Sequence, residues 1–208
     1  MECRTSCRAL SWPARGLAAW LPIGLSITLV FVVGCLVFAG PIRGVRPMTI
    51  FVTSPAFADQ DRIPVRFTGD GQDVSPPLAW DNLPEGTKEL ALICDDPDAP
   101  TDEPWVHWVI YKIPANATGL PENVPKLPRL KNGDILQGQN SWSTPSRPSI
   151  GYRGPLPPRG DGDHRYQFTL YALSGKLIAK PGVTKEQLLA EMEGHILATG
   201  QLVGLYSR

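Results

Sequence analysis

Proline occupies 22 of the 208 positions, about twice its usual share of ~5%. The ring fixes φ and removes the backbone donor, so proline is poorly tolerated in helix interiors and central strands. A chain this rich in proline must route much of it through turns and loops, which argues against a helical bundle or coiled coil. Glycine and proline together make up roughly 20%, below the ~25–30% that marks low-complexity disorder. A loop-rich, mainly β domain is the expectation. The formal net charge is zero, whereas a nucleic-acid binder normally shows a strongly basic domain, so no nucleic-acid partner is expected.

Residues 1–47 read differently from the rest. From Gly16 to Ile42 the chain carries no charge, and about 17–40 is rich in Leu, Ile, Val and Phe. A spanning helix needs about 20 such residues. Arg4, Arg8 and Arg15 precede the run and Arg43 and Arg46 follow it, a weak bias for an N-terminus-inside orientation. Three readings stay open. The first is a hydrophobic helix retained as a membrane anchor, with the domain outside the cytoplasm. The second is an export signal, cleaved or lipidated, since Val32-Val33-Gly34-Cys35 loosely fits a lipoprotein box. The third is a cytoplasmic protein that starts at Met48. Residues 48–208 form the expected domain, with 15 basic and 19 acidic side chains. Cys94 is its one cysteine, so it has no internal disulfide and relies on a hydrophobic core.

Along that domain, Ile50–Val52 predicts a short strand. Val65-Arg66-Phe67-Thr68 predicts another, ending at Gly69-Asp70-Gly71. Pro76–Trp80 has the character of a stiff edge segment. Leu90–Cys94 is a continuous apolar run of strand length and predicts a strand covered on both faces. Val106–Ile113 and His164–Leu173 predict further strands, with residues 114–162 mostly loop between them. Thr184-Lys185-Glu186-Gln187 is a capping box. It opens a helix whose apolar stripe is Leu188, Leu189, Met192 and Ile196. Gln201–Tyr206 predicts a closing strand. Several strands, long connections and one late helix predict an antiparallel sandwich.

Chemistry concentrates in three places. Asp96-Pro97-Asp98-Ala99-Pro100 sets carboxylates on a proline-stiffened turn after the apolar run. In the strand beginning Trp105-Val106-His107, alternation places Trp105, His107, Val109 and Tyr111 on one face. In the strand beginning His164-Arg165-Tyr166, it places His164 and Tyr166 on the face of Phe168 and Leu170. Two of the three histidines thus point inward at strand ends, each beside a polar turn. Between them runs a Gly- and Pro-rich loop, Gly151 to Asp163, in which glycines allow close backbone approach to a ligand. The third histidine, His195, falls in the predicted helix and is expected to pack or cap.

Together, Asp96-Pro97-Asp98-Ala99-Pro100, Trp105-Val106-His107, Gly162-Asp163-His164-Arg165-Tyr166 and Gly194-His195-Ile196-Leu197-Ala198 resemble the phosphatidylethanolamine-binding proteins. Within that family the likeness is to the bacterial Raf-kinase-inhibitor-like branch, over Ile50 to Arg208. The resemblance implies a Greek-key β-sandwich of antiparallel sheets with peripheral helices and a small anion pocket at one end. Carried over by position, Asp96, Asp98, Pro100, Trp105 and His107 form one wall, and Pro157, Gly162, His164 and Tyr166 the other. The chain departs from the family pattern at Leu156, where eukaryotic members usually carry glycine, and residues 143–149 diverge.

The expected function is non-enzymatic binding of a small anionic or phosphorylated ligand: phosphate, phosphoethanolamine or a phospholipid head group. In that reading His107 and His164 donate to the ligand, and Asp96 fixes an imidazole tautomer and favours its charged form. No cofactor or metal is expected. One alternative, implied by the resemblance, is an inhibitor of a protein kinase or serine protease acting through surface loops 114–150. Another is a two-His-one-carboxylate metalloenzyme built from Asp96, His107 and His164. Family members include homodimers, so self-association is a further possibility.

Overall fold

The alternation and continuity of apolar residues translate directly into two antiparallel sheets in the computed structural model, which describes residues 49–130 and 134–208. The apolar segment at 17–40 and the boundary at Met48 lie outside the described residues. Among those described, no helix is long and apolar enough to cross a membrane. The strands are β1 (Phe51–Thr53), β2 (Leu78–Asp81), β3 (Glu89–Asp96), β4 (Trp105–Pro114), β5 (Gly119–Leu120), β6 (Leu136–Gln137), β7 (His164–Leu173) and β8 (Ile196–Tyr206). One sheet has the order β1-β2-β5 and the other β6-β4-β3-β7-β8. Every ladder between these strands is antiparallel.

The continuous run at 90–94 is central in the larger sheet, between β4 and β7, and is covered on both faces as expected. Leu90, Leu92 and Cys94 point into the main core, which also holds Val52, Leu78, Trp80 and Leu120 of the smaller sheet. Ala91 and Ile93 point the other way, into a second cluster with Leu188 and Met192 of the helix α1 (Lys185–Met192). Burying each large aliphatic side chain stabilises the fold by about 1.5–3 kcal/mol, so this strand anchors two cores at once. The capping box is complete: the Thr184 hydroxyl accepts from the Gln187 N–H, and the Gln187 side chain accepts from the Thr184 N–H.

Four expectations change. Val65–Phe67 is a 3₁₀ turn rather than a strand, closed by the Thr68 N–H on the Val65 carbonyl. Only Phe67 enters the core while Val65 stays exposed, so the apolar pair never shares a face. The Pro76–Trp80 segment ends in β2, the middle strand of its sheet, not an edge. Ile196 leaves the helical stripe and opens β8, because α1 stops at Met192 and Gly194 turns the chain with φ of 75°. His195 lies in that turn, where its N–H donates to Met192 and its carbonyl accepts from Ser174.

In β4 the period-2 reading fails. The β3–β4 register slips between Cys94↔Trp108 and Asp95↔Val106, an irregularity of the β-bulge kind that re-aims side chains. Val109 and Tyr111 therefore join the helix-side cluster, while His107 turns toward Tyr166 of the main core, ring centroids 5.0 Å apart.

Candidate functional site

The bulge in β4 is what brings the two inward histidines together. Asp96 ends β3, His107 follows the slip in β4, and His164 opens β7, the neighbour of β3 on its other side. These three strand ends surround a cavity of about 260 Å³. It is lined by Asp96, Ala99, Pro100, Thr101, Trp105 and His107. Trp142, Leu156, Pro157, Pro158, His164 and Tyr166 complete the lining.

The two imidazoles are chemically unlike. His164 Nδ1 lies 2.8 Å from Asp96 Oδ2, with both side chains buried, and its Nε2 lies 3.3 Å from Asp161 Oδ2. Burial alone would lower the His164 pKa. The hydrogen bond and charge of Asp96, joined by Asp161, outweigh it and raise the pKa above 6.5. The charged form of His164, with a proton on both nitrogens, is thereby favoured over that of a free imidazole. Asp96 is held in turn, its Oδ1 accepting from the Asp98 N–H at 2.9 Å.

His107 works the other way. Its Nδ1 donates to the Arg153 carbonyl at 2.6 Å, and the Arg153 N–H returns a bond to the His107 carbonyl at 2.9 Å. Burial pushes its pKa down to about 4, against the pull of that carbonyl and of Asp96 and Asp73. At neutral pH His107 is therefore an uncharged ring with a bare Nε2 lone pair, an acceptor rather than a donor. The expectation that both histidines donate to an anion holds for neither charge nor tautomer at His107. A depressed pKa means the folded state binds this proton less readily than the unfolded chain. The resulting stability is present above pH 6.5 and is lost as pH falls through about 4, amounting to about 3 kcal/mol. Urea titrations of wild type and His107→Gln between pH 7 and 4 measure it, and the variant is expected to lose less stability over that interval.

Tyr166 completes the floor. Its hydroxyl is buried with no hydrogen bond of full geometry among the described residues, and burial, followed by the charge of the nearby Asp96 carboxylate and its hydrogen bonding to the hydroxyl, keeps it un-ionised. Trp105 and Trp142 meet edge to face at 5.4 Å, and Trp142 also packs edge-on to His107 at 5.0 Å. The walls are thus mostly apolar, interrupted by the Asp96–His164 pair, the His107 acceptor and the Thr101 and Tyr166 hydroxyls.

The phosphatidylethanolamine-binding protein family model matches residues 53–207. The chain belongs to the phosphatidylethanolamine-binding protein family. A UPF0098 protein of Methanothermobacter thermautotrophicus is 54% identical over 153 residues, covering 74% of this chain and 95% of that protein. Among solved structures, a putative phosphatidylethanolamine-binding protein homologue, CT736, from Chlamydia trachomatis superposes with a TM-score of 0.67 at 38% identity. It covers 77% of this chain and 99% of its own. YbcL of E. coli, described as a member of the mammalian family, gives 0.69 at 30% identity, with 76% and 98% covered.

Set in this family frame, Asp96, Pro100, Trp105, His107, Pro157, His164 and Tyr166 all line the cavity. Asp98 and Gly162 do not. Asp98 turns outward to a bidentate pair with Arg165, at 2.7 and 2.9 Å, and also accepts the Arg165 N–H. It staples the end of β3 to β7. Gly162 has φ of 90°, the left-handed backbone that glycine adopts freely, and so delivers His164 into its strand. Ala99, Thr101, Trp142, Leu156 and Pro158 also line the cavity without having been expected as site residues, and Trp142 is the largest of them. A lone tryptophan in the polar stretch Asn140-Ser141-Trp142-Ser143 is the signal that marks it. Asp96 and His164 are spent on each other and His107 Nδ1 on a carbonyl. Among the described residues no group of three or more His, Cys, Asp or Glu is placed to hold a metal ion, so the two-His-one-carboxylate alternative gains no support.

Proposed function

We propose that this cavity binds a small oxyanion, the phosphate of a phosphomonoester or of a phospholipid-type head group, with protonated His164 as its cation. The observation that carries this reading is the buried Asp96–His164 pair at the cavity wall. It keeps a proton on Nε2, whose present partner, Asp161, is a long 3.3 Å away with a half-exposed side chain. The Asp161 carboxylate stands where an incoming oxyanion would sit, and the ligand takes its place. The Tyr166 hydroxyl, which has no hydrogen bond of full geometry among the described residues although Asp96 is near, supplies a second donor. The bare His107 Nε2 then accepts from a P–OH or from the ammonium of a zwitterionic head group, and the aromatic and proline walls cover the carbon part.

A protonated imidazole sets the sign of the pH dependence. Affinity for phosphoethanolamine and for inorganic phosphate is expected to be highest below the raised His164 pKa. It falls about tenfold per unit once pH exceeds that value. Isothermal titration calorimetry from pH 5.5 to 9 measures this, with His164→Asn as the variant that abolishes it. Asp161→Asn removes a competing carboxylate and is expected to tighten binding severalfold at pH 6. Binding that ignores pH, or that survives unchanged in His164→Asn, contradicts the reading.

A further inference from the structure

Trp142 divides two concavities, and only one of them is the cavity described above. On its far side lies a larger one of about 500 Å³, lined by Trp142, Thr144, Arg147, Ser149, Ile150 and Arg153, with Pro148 beside them. Two of these are arginines and none is acidic, on a domain whose acidic side chains outnumber the basic ones.

Arg153 is held in place, and Arg147 is positioned through the backbone of its turn. Arg153 is tied through its backbone to His107 in both directions, and its guanidinium sits 5.2 Å from the centre of the Trp142 ring. Its nearest carboxylate, Asp73, is 3.6 Å from Nε and already accepts from Lys126 Nζ and the Gly154 N–H, each at 2.6 Å. Arg153 therefore keeps most of its donors unspent. Arg147 closes a turn in which its N–H and carbonyl pair with Thr144. Among the described residues it has no carboxylate within ion-pair distance.

The contrast with the concavity at the start of α1 is instructive. There Lys185 is paired with Asp95, Thr184 and Gln187 cap each other, and Glu186 adds a negative charge to the lining. An anion would meet spent donors and repulsion. Beside Trp142 it meets two guanidiniums, each able to offer a planar pair of N–H donors that matches an oxyanion, with the Thr144 and Ser149 side chains close by.

We infer that this concavity is a second oxyanion site, taking a phosphate monoester between Arg147 and Arg153 against the Trp142 face, separate from the His164 cavity. It does not depend on what the His164 cavity binds. The phosphate is either free or carried on a larger molecule, since the site is open to solvent along the exposed 144–148 turn.

Amide NMR titrations of the full chain with inorganic phosphate and with O-phosphoserine test the site, with sodium chloride at matched ionic strength as the control. Shifts are expected in residues 142–153 with both phosphates and not with chloride. They are expected to persist in His164→Asn and to weaken about tenfold in Arg147→Gln, the factor carried by one charge-assisted hydrogen bond. A response to inorganic phosphate alone restricts the site to the free ion, and a tighter response to phosphoserine points to a phosphorylated chain. Shifts that chloride reproduces overturn the inference. So does the absence of shifts in residues 142–153, or shifts that Arg147→Gln leaves unchanged. Failure of the His164 reading would show separately, as a missing response around His164 and Tyr166.

Discussion

Replacing Asp96 with alanine is expected to lower stability by about 3–5 kcal/mol at pH 6, because it strands one member of a buried ion pair. Asp96 and His164 side chains are 4% and 3% exposed, so water cannot replace the lost partner. The Asp98 N–H loses its acceptor in the same step, which loosens the staple between Asp98 and Arg165. A raised pKa means that the pair stabilises the fold fully below pH 6.5, and that this contribution is lost as pH rises through the folded-state value. The deficit in Asp96→Ala is therefore expected to shrink between pH 6 and pH 9 in urea unfolding. Phosphate binding is expected to weaken at neutrality in the same variant, since the carboxylate that favours the proton on His164 is gone.

The second large effect lies behind the site. Gln137 is wholly buried, and its amide makes three bonds. Oε1 accepts from Trp108 Nε1 at 2.7 Å, while Nε2 donates to the carbonyls of Pro125 and Leu127 at 2.7 and 2.8 Å. Trp108 is itself fully enclosed, stacked edge-on to Tyr152 at 5.6 Å. Gln137→Leu keeps the volume and removes every one of these bonds. Each orphaned buried group costs about 1–3 kcal/mol, so a loss of roughly 3–5 kcal/mol is expected in chemical denaturation. Faster amide exchange is expected around residues 125–127, which this side chain holds to the sheet.

The sequence carried those features whose cause is local. The apolar run at 90–94 has no polar residue to face water, so both faces had to be covered. The His164–Leu173 strand alternates without interruption and is observed with those same bounds. The capping box needs only four consecutive residues, and α1 starts where Thr184 and Gln187 set it. Features set by a partner strand were not legible. The slip between Asp95 and Cys94 depends on how β4 seats against β3, and nothing in Trp105–Tyr111 itself announces it. That slip separates His107 from Val109 and Tyr111, which strict alternation had put together. Val65 and Phe67 mimic a strand, yet Pro64 and Thr68 close a 3₁₀ turn around them.

Within the site, the residues supplied by strand ends were foreseen and those supplied by loops less so. Trp142 reaches the cavity from the loop just ahead of the divergent residues 143–149 because the loop zips onto β4, with Ser141 bonding Val106 through both backbone and side chain. Asp98, one of two carboxylates on the same stiff turn, faces outward because Arg165 lies directly across on β7. The opposite protonation of the two histidines is also a tertiary property. One imidazole meets a carboxylate and the other a carbonyl, and spacing along the chain does not reveal which.

That opposition is open to measurement at the imidazoles themselves, since the chain has three histidines whose ring nitrogens resolve in NMR after isotope labelling. The account predicts that His164 titrates above pH 6.5, that both its nitrogens are protonated below that titration, and that adding phosphate raises its pKa further. It predicts that His107 remains the neutral Nδ1–H tautomer until pH approaches about 4. A His164 that is neutral at pH 6, or one whose titration phosphate leaves unmoved, would contradict it.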